Sequence, residues 1–115
     1  MFEFAYNEIV EESPWAMRAQ EGRALDEAID LLRAAAKVGP GSREAVTALY
    51  QLRQLWAVFL DDLNNAENAL PTTLRASLIS IGIWVNNEID RVRTGATRDL
   101  SSLIEINQII RDGLN

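Results

Sequence analysis

Two close carboxylate pairs, Asp61 with Asp62 and Glu88 with Asp90, are the groups in this chain best suited to moving a proton. Acid–base work needs carboxyls that converge and perturb one another. Neighbours one or two positions apart on a helix point in different directions, so neither pair converges. The chain has no histidine and no cysteine. That removes the usual general base, the thiol nucleophile and most transition-metal ligand sets. The Glu-x-x-His motif of ferritin-like di-metal bundles cannot occur, and the glycines are too scattered for a phosphate-cradling loop. The expectation is a protein with no catalytic residues, no metal and no cofactor, whose carboxylates form solvated helix surface.

What remains is recognition by apolar surface. The segment NALPTTLRASLISIGIWVNNEIDRVR, residues 68–93, contains the longest uncharged run of the chain, 76–87. Leu74, Leu78, Ile81, Val85, Ile89 and Val92 recur at helical spacing and form one face. Ile79 and Ile83 fall roughly opposite that stripe, and Trp84 falls on its flank beside Ser77 and Ser80. A helix apolar nearly all round is either buried centrally or docks a partner on its second face. Tyr50 and Val58, off the main stripe of the preceding helix, are candidate walls of such a groove. Asn107, inside an apolar stripe, is read as a satisfied buried amide or register device, or else as a contact to a bound helix. The candidate protein-binding set is Ile79, Ile83, Trp84, Tyr50, Val58 and Asn107. For Trp84, core packing and partner contact both stay open; Trp56, on a main stripe, is expected in the core.

These residues need helices to position them, and the punctuation of the chain supplies four. The three prolines and six glycines are expected where helices break. Ser13-Pro14 starts a helix that runs to about Val38, with Leu25, Ile29, Leu32 and Ala36 as its stripe and Ala28 and Ala35 beside it. Gly39-Pro40-Gly41 makes a tight connection. Ser42 caps the next helix, to about Leu63, with Ala45, Leu49, Leu52, Trp56, Phe59, Leu60 and Leu63 inward. Pro71 opens the third and Gly95 closes it. Thr97 or Asp99 caps the last, whose stripe is Leu100, Leu103, Ile110 and Leu114. Arg75, early in its helix, opposes the helix dipole, which a bond to a carboxylate or a neighbouring carbonyl would explain. Phe2, Phe4 and Tyr6 form a short aromatic segment that either clamps one end or serves as an arm a partner engages. Trp15 is a helix-end packing residue or an exposed anchor. Short links between four helices predict an all-α, antiparallel four-helix bundle in a single domain spanning 1–115.

Composition agrees. Apolar residues are 48% of the chain, and 11 basic residues face 17 acidic ones for a net charge of −6. That balance disfavours nucleic acid or an anionic membrane as the main partner, since both rely on Lys and Arg. No signal-type start is visible, and the uncharged run falls short of the ~18 apolar residues of a membrane span. A soluble, cytoplasmic protein is expected.

Several long stretches, in order, also resemble one family. ALPxxLRAxLISIGxWV, NEIDRVRTG and LIEINQIIRDGL, with FEFAYNEIVEESP, ALDEAIDLL and GPGSREAVTALYQLRQLW before them, are similar to the FlaF family of flagellar biosynthesis regulators of alphaproteobacteria. The resemblance implies a flagellin secretion chaperone and positive regulator of flagellin synthesis, linked to a FlbT-like translational repressor. Flagellin, through a terminal helical segment, is the implied partner. Two alternatives stand beside it: a regulator acting through the repressor without holding flagellin, and a homodimeric structural bundle.

Overall fold

The computed structural model describes the backbone of residues 14–113 and the side chains of 21–113. The readings made for Phe2, Phe4, Tyr6, Trp15 and Leu114 lie outside the described side chains. Four helices follow one another: α1 (Pro14–Val38), α2 (Arg43–Leu63), α3 (Thr72–Arg93) and α4 (Ser101–Asp112).

The links are fixed locally. Gly39 has φ +132°, a backbone conformation that favours glycine, and its N–H closes α1 on the Ala35 carbonyl. Ser42 Oγ accepts the Ala45 N–H at 3.1 Å as the N-cap of α2 and donates back to the Gly39 carbonyl at 2.6 Å. Helix α2 has no basic residue in its last turn. Arg75 of α3 supplies one: its guanidinium donates to the Leu63 carbonyl at 3.1 and 2.8 Å and to that of Asn65 at 3.2 Å. That favourable contact with the negative end of α2 explains a cation near the start of α3. Before α4, Thr97 Oγ1 accepts the Asp99 N–H and Asp99 Oδ1 accepts the Ser101 N–H. The Ser101 backbone bond holds the Asp99 carboxyl below its ordinary pKa. The cap position itself belongs to Leu100, one residue later than the sequence suggests.

The helices form a ring of neighbours: α1 on α2, α2 on α3, α4 back on α1, with α3 and α4 touching least. Leu25, Leu32, Leu52, Trp56, Val85, Ile89 and Leu103 are fully enclosed. In α1 the expected stripe is corrected at its end: Ala36 is exposed, and Ala35 takes the core position. The ring is pinned across its diagonal by a buried bond. Trp56 Nε1 donates to Asn107 Oδ1 at 2.8 Å, and Asn107 Nδ2 donates to the Leu103 carbonyl at 2.7 Å. Trp56 also meets Phe59 edge to face, ring centroids 5.3 Å apart.

Two glycines lie inside helices rather than at breaks, contrary to the punctuation reading. A Cβ at Gly82 would sit 2.6 Å from Leu60 Cδ2 and 3.0 Å from Trp56 Cε3. Gly82 therefore lets α3 close onto α2. At Gly22 the neighbour is the guanidinium of Arg111, which also donates to Asp26 at 2.8 Å and ties α4 to α1.

Two outcomes follow for urea unfolding. Asn107→Ala leaves the indole N–H unpaired and opens a void, and should destabilise by about 2–4 kcal/mol. A double-mutant cycle with Trp56→Phe should return a coupling of about 1–2 kcal/mol, and no coupling would contradict the bond. Gly82→Ala gains about 1 kcal/mol in helix propensity but overpacks against a Trp56 ring that cannot turn away. The net sign should be destabilising.

Candidate partner-binding face

The bundle is uneven because its last helix is short. Asn107 meets Trp56, and Trp56 meets Gly82, so these three residues share one level of the bundle. Beyond Asn107 only five residues of α4 remain, a rise of about 7.5 Å. Helix α3 extends back from Gly82 by ten residues, about 15 Å. The first turn and a half, about five residues, therefore runs past the end of α4, beside the C-terminal part of α2, to which Arg75 ties it.

The stripe of α3 registers this. Val85, Ile89 and Val92 are buried, Leu78 and Ile81 are half-buried, and Leu74, although in line with them, is 45% exposed. Leu74 lies on the apolar face that the helical spacing predicts, but α4 stops too soon to cover it. Trp84 is 41% exposed. At about 100° per residue it lies ~160° from Gly82, which faces α2, so Trp84 stands on the side of α3 away from α2. Ile79 lies ~60° from Gly82 on the α2 side, and Ile83 points outward at 54% exposure.

The other three candidates do not join this face. Val58 is exposed but lies ~160° around α2 from Leu60, the residue that meets α3, and so points away from it. Tyr50 is exposed at the opposite end of α3, in a groove with Val92, Arg93 and Arg98. It also borders a shallower groove against Ala24, Glu27 and Ala28 of α1. Neither groove contains Ile79, Ile83, Trp84 or Val58. Asn107 has no exposed surface, and both ends of its amide are bonded inside the bundle. Tyr50 and Val58 therefore do not face Ile79 and Ile83 across one groove, and the exposed apolar residues nearest the start of α3 are Leu74, Ile83 and Trp84. The signal that could have found Leu74 is arithmetic: a last helix too short for its neighbour.

Asp61, Asp62 and Asp90 are exposed as expected, but Glu88 is buried, against the expectation that all four form solvated surface. Glu88 pairs with Arg91 at 2.9 Å, while Asp90 turns to Arg53 and Arg93. Partial desolvation pushes the Asp62 carboxyl up, against a bond from Asn68, and Asp61 adds to the rise. No converging partner accompanies it. Among the described residues there is no cluster of three potential metal ligands, and no helix is long and apolar enough to cross a membrane.

Comparison with characterised proteins and with solved structures returns no match. Comparison with protein families does: residues 2–114 match the family described as Flagellar protein FlaF. With that match running over essentially the whole four-helix chain, the protein belongs to the FlaF family.

Proposed function

We propose that this protein is a cytoplasmic chaperone of flagellin that holds one of its terminal helical segments and thereby promotes flagellin synthesis and export. The observation behind this reading is the start of α3 that runs past the end of α4, where Leu74 is exposed, together with the exposed Ile83 and Trp84 farther along the same helix and the half-buried Leu78 and Ile79 between them. A helix laid along an apolar surface is read through its own anchors at i, i+3, i+4 and i+7. An amphipathic segment laid there stands where a longer α4 would have been. Flagellin termini are amphipathic helices that assemble in the filament and have to stay uncommitted before export. Ordering such a segment on binding costs about 2–5 kcal/mol of the gross interaction, which keeps the hold reversible. The absence of histidine and cysteine fits a binding role better than a catalytic one.

Leu74→Glu and Trp84→Glu are partly exposed positions, so each should shift the unfolding free energy by less than about 1 kcal/mol. Each should weaken flagellin binding at least about tenfold, measured by calorimetry, because a charge is placed against an apolar anchor. The complex should also be lost when one flagellin terminus is deleted. Wild-type affinity in both variants would reject this edge as the site. No complex with intact flagellin would reject the chaperone role and transfer the regulatory role to a contact with the FlbT-like repressor.

A further inference from the structure

A second groove lies at the other end of the bundle, about 27 Å along α3 from Leu74. Its volume is about 650 Å³, and the two connections following α1 and α3 wall it. Its floor is apolar: Leu49 and Val92 are buried at its base, with the exposed Val46 and Tyr50 beside them. Its rim carries Arg53, Arg93 and Arg98 and no carboxylate. In a chain of net charge −6, three guanidinium groups around one hollow are a marked segregation. One neighbouring carboxylate, Asp90, serves both Arg53 and Arg93, and among the described residues Arg98 is paired with none. The walls are held in shape by local bonds, Ser42 Oγ to the Gly39 carbonyl and the N–H groups of Gly95 and Thr97 to the carbonyls of Val92 and Arg91.

We propose that this groove binds an acidic, extended segment of a protein partner: its carboxylates meet Arg53, Arg93 and Arg98, and one apolar side chain enters between Val46, Leu49, Tyr50 and Val92. Guanidinium groups take carboxylates bidentately, and an apolar floor beneath them adds burial that a free anion does not use. A polyanion such as RNA fits less well. The hollow is short, and the acidic remainder of the protein repels a long charged strand.

The test uses the full chain and a fluorescein-labelled peptide, Ac-EEFEELEE, followed by fluorescence anisotropy. The peptide should bind, and its lysine-for-glutamate counterpart should not. Raising salt from about 0.02 M to about 0.5 M should weaken binding at least tenfold. The double variant Arg93→Glu, Arg98→Glu should lose at least about tenfold in affinity. Asp90→Asn, which releases Arg53 and Arg93 from their internal partner, should bind about two- to fivefold more tightly. Trp84→Glu, on the far face, should leave the affinity unchanged. Failure of the peptide to bind, equal binding to the double variant, or tighter binding of a short single-stranded RNA than of the peptide would overturn the proposal.

Discussion

A helix of 12 residues cannot cover a neighbour of 22, and the register of that mismatch is set by one buried hydrogen bond. Trp56 and Asn107 lock α4 to the middle of the bundle rather than to either end. From that level α4 has too few residues to reach the start of α3. The polar pair therefore does more than satisfy two buried groups. It decides which part of α3 becomes core and which part stays open, a registry use of a buried polar contact of the kind known from coiled coils. Sliding α4 by one turn would bring its end level with Leu74 and leave the indole and the amide without partners.

The rest of the architecture follows from keeping three long helices close while the fourth is short. Alanines at 28, 35, 45 and 48 let α1 and α2 approach, and Gly82 does the same for α3 on α2. Arg75 and Arg111 then tie ends that packing alone leaves loose, one to the last carbonyls of α2 and one to Asp26 of α1. The result is a rigid scaffold with two separated surfaces on α3, an apolar edge at its start and an arginine-rimmed groove at its end.

Most of the fold is legible from residues whose effects are local. Ser42, Gly39 and Pro71 state their helix ends because a cap or a positive φ is decided within a few residues. The resemblance to the FlaF family is equally legible, being carried by long stretches in order. Other features depend on distant neighbours. Asn107 reads as a buried amide, but its partner lies 51 residues away and nothing near either residue announces the pairing. Gly82 lies inside the predicted third helix with nothing near it to mark a role, and only Leu60 and the Trp56 ring of α2 reveal the need for a missing Cβ. Leu74 shares the helical phase of Val85 and Val92; what differs is the partner above it, a fact of helix length and not of period. Tyr50 and Val58 join Ile83 in the sequence reading only because they lie off the main stripe of their helix, and that says nothing about which neighbouring helix a side chain faces.

The central claim is that the uncovered start of α3 is where flagellin sits. Amide hydrogen exchange of the protein, alone and saturated with intact flagellin, tests it without any substitution. The account predicts that protection rises in residues 72–84 and stays unchanged in the middle of α2, which is already closed by Trp56. Protection gained elsewhere, with residues 72–84 exchanging as in the free protein, would contradict it.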